Sequence, residues 1–384
     1  MKIIKVNGLT PIQSGMLFQY MLSNDKSSYM GTEIFELEGN INSDIFKSVL
    51  EKISDEYEVF RTNVIYDKID VPKSVVIDKR TIPFEFHKAV TDEEIKLLTY
   101  KINAEQFEKG FDIQRDSLIR LDLIVGENSS VIIFSFHHIL MDGYCAAMIA
   151  DIIMKNYGKL LGRQIENDGE YVPFSAYQDW IIIQDMSQSR EYWHEYLKDI
   201  SPVQPLELIQ FGSDRKKDVG HSSLTVEFTP SETKELLSAA AAGNATLNIY
   251  MQWLWGITLC RNFSCDKAVF GTVVSYRPAE FSNAERVLGP MINTVPVVFE
   301  CSSDIKITEQ LNAFRRSFLD SMEHSWIGLG EISKAVEDCK NLIDHLFVYD
   351  NFPEMDFGSI KENTGFQVKN FKLEERTEYA LTLE

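Results

Sequence analysis

At 384 residues the sequence is longer than one ordinary core organises, which predicts two lobes. Its 44% hydrophobic and 11% aromatic content is that of a globular protein, and 38 Lys and Arg against 58 Asp and Glu leave a net charge of −20, which opposes binding to nucleic acid or anionic lipid. No apolar run approaches the ~20 residues that span a bilayer, and the opening MKIIKVNGLTP lacks the apolar core of a secretory signal; no membrane association and a cytoplasmic location are expected. The five cysteines (Cys145, Cys260, Cys265, Cys301 and Cys339) are scattered, odd in number and without a CxxC pair, which points to reduced thiols rather than a disulfide framework or zinc site.

The first predicted element is a helix opening in LTPIQSGMLFQY, with Thr10 as N-cap, Pro11 at the first helical position and Gln13 at the third. MGTEIFELEG (residues 30–39) alternates as a strand, and SDIFKSVLEKI (43–53) reads as a helix capped by Ser43 with an apolar face of Ile45, Val49, Leu50 and Ile53. Residues 111–138 read as a strand, a turn at 126–130 and a second strand, apolar and β-branched from Val131 to Phe136. That strand ends in His137 and His138, and Asp142 and Gly143 follow after a three-residue gap. Side chains alternate along a strand, so the two imidazoles face opposite ways and at most one serves a given site. From Tyr144 to Leu161 the apolar spacing turns helical, with Gly162 as its stop.

The polar GRQIENDGEYVP (162–173) is the predicted link, which gives an N-terminal lobe of residues 1–172 and a C-terminal lobe of 173–384. SREYWHEYL (189–197) reads as an amphipathic helix whose Tyr192, Trp193 and Tyr196 suit a core. TPSE (229–232) is a capping box with Pro230 at the first helical position, Gly243 ends that helix, and Thr246 caps the next. A strand through KAVFGTVVSYRP (267–278) and another through GPMINTVPVVF (289–299) carry Arg277 and Asn293 as their polar residues. There is no internal repeat and no low-complexity tract.

A histidine with an ordinary pKa of ~6.5, at the end of a strand and before a helix, can take up a proton or donate a hydrogen bond to a developing oxyanion. Asp142 admits two readings, a carboxylate orienting His138 or a helix cap and arginine partner, and the second carries more weight. A metal site of His137, His138 and Asp142 is set aside, because adjacent strand residues diverge and no HExxH or Cys/His cluster supports it. GxSxG, GxGxxG and P-loop patterns are absent. His87, His194, His221, His324 and His345 are expected to be surface or satisfied core residues.

The words HHILMDG match the HHxxxDG signature of the condensation domains of nonribosomal peptide synthetases. Other stretches resemble that family's landmarks in the family's order. LTPIQSGMLFQY is similar to the opening motif of the LTPxQxGMLF type, common where the donor is a D-residue or where epimerisation and condensation are combined. YEVFRTNVIY resembles RHExLRTxF, keeping Arg61 and Thr62 but with Tyr57 where a histidine is usual. PFSAYQDWI, SREYWHEYL, GTVVSYRP and GPMINT resemble later landmarks, with Met291 where a Phe is usual, and EHSWIGLGEI and LIDHLFVYDNFP match loosely. The chain ends at YALTLE, where family members continue with more strands and a helix, so either it is trimmed or its second lobe is naturally short.

The resemblance implies two chloramphenicol acetyltransferase-like α/β sandwich lobes in a V-shaped pseudo-dimer, with the active site in a tunnel between them. It implies amide-bond formation by attack of a carrier-bound aminoacyl amine on an upstream carrier-bound thioester. His138 would face the reaction, as a base or by positioning the amine, and His137 the scaffold. Asp142 would form a structural ion pair with Arg277, Gly143 would allow close backbone approach and offer an N–H to the thioester oxygen, and Tyr144 and Asn293 would position substrate, a loop-capping role for Asn293 being equally open. No cofactor would be bound directly; 4'-phosphopantetheine would arrive on upstream donor and downstream acceptor peptidyl carrier proteins, docked to a monomeric domain through local apolar and basic patches, beside an adenylation domain. An epimerisation domain of the same superfamily, a freestanding acyltransferase and a non-catalytic carrier-docking module are the alternatives.

Overall fold

The structure, a computed structural model, describes every residue except 1, 24, 166–170, 201–222, 302–304, 337–341, 351–356, 376 and 378. In chain order the elements are β1 (Ile3–Gly8), α1 (Pro11–Ser23), β2 (Met30–Glu38), α2 (Ser43–Glu56), β3 (Thr62–Ile65), β4 (Lys73–Ile77), β5 (Phe84–Lys88), α3 (Asp92–Lys109), β6 (Ile119–Val125), β7 (Ser129–His137) and α4 (Gly143–Leu160). They continue as β8 (Val172–Pro173), α5 (Phe174–Ile182), α6 (Ser187–Leu197), α7 (Pro230–Ala242), α8 (Leu247–Phe263), β9 (Lys267–Ser275), β10 (Val287–Leu288), β11 (Ile292–Glu300), α9 (Ile307–Glu323), α10 (Leu329–Ile332), β12 (His345–Phe347), α11 (Phe357–Thr364), β13 (Gln367–Glu375) and β14 (Leu381–Leu383). His221, Cys339 and the centre of the expected 162–173 link lie outside the described residues.

The chain divides into two compact units. The first comprises Met1–Asp185, Ser275–Ile292 and Asn351–Glu378, and the second Met186–Val274, Asn293–Asp350 and Tyr379–Glu384. The boundary expected at 172/173 falls in β8, which pairs in parallel with β10 inside the first unit. Two segments from the far half of the sequence, 275–292 and 351–378, therefore pack in that unit.

The first unit is built on a sheet of order β13-β2-β7-β6-β5, antiparallel except for the parallel β5–β6 edge. β7 is apolar from Val131 to Phe134 and again at Phe136 because both of its faces are covered. Ile132, Phe134 and Phe136 join a core with α2 and α4 through Phe46, Val49, Ile149 and Ile153. Val131 and Ile133 pack on the opposite face with Ile95 and Ile102 of α3. Fully burying each such side chain contributes ~1.5–3 kcal/mol, so a shift of one residue in pairing would exchange two buried sets at once.

Local chemistry sets most helix ends as expected. Thr10 and Gln13 bond reciprocally at the start of α1, with Gln13 N–H donating to Thr10 Oγ1 at 3.3 Å and Thr10 N–H to Gln13 Oε1 at 3.2 Å. α2 departs from the expectation: its cap is Asn42, not Ser43, because the side-chain Oδ1 of Asn42 accepts from the amides of Asp44 and Ile45 at 3.0 and 3.1 Å.

In the second unit a sheet of order β11-β9-β12-β14 carries α8 and α9, joined through Trp253, Phe270, Phe299, Phe314 and Phe318. Pro296 sits within β11, at the edge of that order, where a missing backbone donor is tolerated. Trp193 of α6 is fully buried, and its indole N–H donates to the His324 carbonyl at 2.9 Å, so this aromatic landmark is core. The capping box at Thr229 and Glu232 and the Thr246 cap are both formed. Among the described residues no helix is long and apolar enough to cross a membrane.

One glycine in the first sheet is required by packing. A Cβ on Gly31 would lie 2.5 Å from the Phe136 ring, which crosses β2 at that point. Gly31→Ala is expected to cost about 1–3 kcal/mol through overpacking, read as a lower urea midpoint with unchanged m-value; an unaltered midpoint would show that Phe136 moves aside freely.

Candidate active site

β7 ends at His137, and residues 138–141 form the turn that feeds α4. The His137 ring turns into the core, its edge against Tyr20 and Phe111 at centroid distances of 5.8 and 6.3 Å. Its Nδ1 accepts the Ile139 amide at 3.0 Å, and among the described residues Nε2 has no hydrogen-bond partner. Burial, with the His138 charge second, pushes its pKa down to about 3, so this ring stays neutral.

His138 leaves the strand on the other side. Its amide donates to the Tyr29 carbonyl at 2.8 Å, and Tyr29 holds a left-handed φ of 56°, an uncommon conformation for tyrosine. The imidazole meets the Phe136 ring edge to face at 5.0 Å, with Nδ1 3.3 Å from the Met141 carbonyl and Nε2 3.1 Å from Oε1 of Glu375. Burial disfavours the charged ring, but the Glu375 carboxylate and the Met141 carbonyl outweigh it, and the pKa moves up. For Glu375 burial is likewise outweighed, here by His138, and its pKa moves down.

Asp142 is fully buried and has a different task. Oδ1 accepts the Cys145 amide at 2.9 Å, capping α4, and Oδ2 accepts the Met291 amide at 2.9 Å. Arg277 Nη2 lies 3.5 Å from both oxygens, while its Nη1 donates to the Ala284 carbonyl at 2.8 Å and the guanidinium stacks over the Tyr144 ring at 4.1 Å. Of the two sequence readings of Asp142, cap and arginine partner describe these contacts. The Cys145 thiol donates to the Gly289 carbonyl at 3.0 Å, and burial raises its pKa. A Cβ on Gly289 would lie 1.9 Å from Phe174, so only glycine lets the 287–291 segment run this close. Gly143 opens α4, where first-turn amides lack intrahelical acceptors.

Gln13 supports the turn from below, its Nε2 donating to the Ile139 carbonyl at 2.8 Å while its Oε1 accepts from Gln178 at 2.9 Å. The opening motif is thus tied to the histidine turn. Arg61 donates to the carbonyls of Ser54 and Ile77 at 2.6 and 2.9 Å, a structural use of that landmark. Asn293 lies in the second unit, donating to the Ser325 and Ile327 carbonyls at 2.6 Å each, the loop-capping alternative of its two readings. Away from the histidine turn, ligand atoms of Glu85, His87 and Asp122 lie within 4.8 Å of one another. His87 and Gln106 occupy the Asp122 oxygens at 2.9 and 2.8 Å.

Residues 4–384 match the family described as "Condensation domain". The chain belongs to the condensation-domain family. It is 31% identical over 388 residues to gramicidin S synthase 2 of Brevibacillus brevis, which covers 98% of this chain and 8% of that protein. Tyrocidine synthase 2 of Brevibacillus parabrevis is 29% identical over 381 residues, covering 98% of this chain and 11% of that one. The domain therefore spans a small part of the curated relatives it matches. Among solved structures, the condensation domain of the monacolin K polyketide synthase superposes with a TM-score of 0.79 at 15% identity, covering 100% of this chain and 89% of that one. The first condensation domain of the calcium-dependent antibiotic synthetase gives 0.77 at 14% identity, covering 97% and 85%. The fold is theirs, the chloramphenicol acetyltransferase-like architecture expected from sequence.

Two carboxylates of the condensation domain escaped the sequence reading. Glu375 belongs to β13, where QVKNFKLEE reads as an exposed polar strand. Glu33 lies in β2 beside Leu373, its cross-strand partner in β13. Its position was legible: Phe35 and Leu37, two and four residues on, point into the core, so Glu33 does too. Burial first, and the Glu375 charge second, push its pKa up to about 8. The folded domain keeps this proton up to about pH 8, whereas the ordinary value is 4.5, so the domain's stability falls as pH rises through that window. Glu33→Gln is expected to match the parent in thermal midpoint near pH ~4 and to exceed it near pH ~8; equal midpoints at both would mean that Glu33 folds ionised.

Proposed function

We propose that this condensation domain joins an upstream donor to a downstream acceptor, the amine of an aminoacyl group on one peptidyl carrier protein attacking the thioester carbon of a peptidyl or aminoacyl group on another. The observation that supports this most is the His138 imidazole, fixed at Nδ1 by the Met141 carbonyl and carrying an acid–base partner at Nε2. The C–N bond forms as the carbonyl oxygen takes up negative charge. On collapse the C–S bond breaks, the amine nitrogen gives up a proton and the leaving thiolate gains one. His138 is the group that moves or holds that proton, and the Gly143 amide at the start of α4 is directed to the developing oxyanion. His137, neutral and packed, supports the strand end, and Asp142 with Arg277 holds the turn. Tyr144 is assigned to substrate positioning, and Asn293, in the second unit, to capping its loop.

Both acyl groups arrive on phosphopantetheine arms, so the prosthetic group belongs to the carriers, and an adjacent adenylation domain would load the acceptor. The domain would act in the cytoplasm as a monomeric unit of a longer synthetase. With two loaded carrier proteins, His138→Ala is expected to lower the rate of dipeptidyl product by about 10²–10⁴-fold while carrier binding persists. Undiminished product in that variant, or inversion at the α-carbon without any condensed product in the parent, would overturn the reading.

A further inference from the structure

The carboxylate that meets His138 comes from outside the motif. We propose that Glu375 is the seat of the acceptor's ammonium: the α-ammonium of the incoming aminoacyl group enters between the Glu375 carboxylate and Nε2 of His138 and leaves its proton on this pair before attack. The inference rests on the reading of His138 as the reacting centre and adds to it the group that recognises the acceptor. An α-amino group has an ordinary pKa of ~7.7–8.0, so near neutral pH it arrives largely as an ammonium without a lone pair. A site that makes amides from it needs an anion to receive it and a base to free it.

The surrounding charges single out Glu375. Asp142 accepts from Cys145 and Met291 and faces Arg277, leaving it committed to the turn. Glu33 is 4% exposed and stays protonated, and His137 is neutral and sealed in the core. The Glu375 side chain keeps 26% of its surface against 10% for His138, so an arriving cation reaches the carboxylate first. Before an acceptor arrives, a proton on His138 takes the place of the ammonium, which is the direction of both pKa shifts.

The ammonium displaces the His138 proton on entry, then hands its own to Nε2, which restores the imidazolium–carboxylate pair beside a neutral amine. That amine attacks the thioester carbon, the C–S bond breaks as His138 gives its proton to the leaving thiolate, and the second proton of the amine nitrogen replaces it on Nε2. Each turnover thus starts and ends with His138 protonated against Glu375.

The test uses two pantetheine amides, one of glycine, which bears the ammonium, and one of glycolic acid, which does not. The parent domain is expected to bind the glycyl probe about tenfold or more tighter, as a charged hydrogen bond implies, with proton release seen as buffer-dependent heat and a shift of the His138 ring signals in ¹⁵N NMR. Glu375→Gln should bind both probes alike and lower the His138 titration midpoint; Glu375→Asp, which keeps the charge, should retain part of the preference. A parent without preference, or a Glu375→Gln variant that keeps it, overturns the proposal. If the preference is present but His138→Ala still forms product, the ammonium site stands and the condensation role of His138 falls. If His138→Ala abolishes product and the parent shows no preference, only the assignment of Glu375 falls.

Discussion

A carboxylate with no exposure to water is tolerated only when its lone pairs are filled, and Asp142 meets that condition with the amides of Cys145 and Met291 and the guanidinium of Arg277. Those three partners belong to the first turn of α4 and to the 275–292 segment, so one side chain closes the first unit at this corner. The turn that carries His138 hangs between two fixed points, a strand paired on both edges and this pinned aspartate. Removing one partner from such a buried pair typically costs ~3–5 kcal/mol. The imidazole's position depends on this anchor even though no hydrogen bond between the two is found among the described residues.

Adjacent residues of one type have their pKa values moved in opposite directions here. His137 and His138 share a backbone and differ only in what their side of the strand offers: aromatic edges on one hand, a carboxylate and a carbonyl on the other. Desolvation without compensation drives the first towards neutrality, and a partner within hydrogen-bond distance reverses the outcome for the second. Strand alternation is sufficient to produce this division, which is why the pair can combine a packing residue with a titrating one.

Much of this was legible in the amino acids. Periodicity gave β7, α4 and the strand of residues 30–38, and the Thr10, Thr229 and Thr246 caps formed where the residue types require them. The Asn42 cap was misplaced by one position because Ser43 is an equally good cap by type and only geometry separates them. The pairing of Asp142 with Arg277 was anticipated from resemblance, whereas the amide of Met291 was not, since backbone donors carry no side-chain signal. Glu375 was out of reach for another reason. Its contact with His138 depends on a strand pairing across more than 300 residues, β13 with β2, and nothing in a solvent-like run of charges announces a long-range partner.

The placement of β13 also fixes an order of events on the ribosome. β2 pairs with β7 through residues only about a hundred apart, but its other edge waits for a strand that follows Met186–Val274 and Asn293–Asp350, both of which belong elsewhere. While that polypeptide is being synthesised, one flank of the sheet offers open amides and carbonyls, the condition under which nascent chains add a stranger's strand.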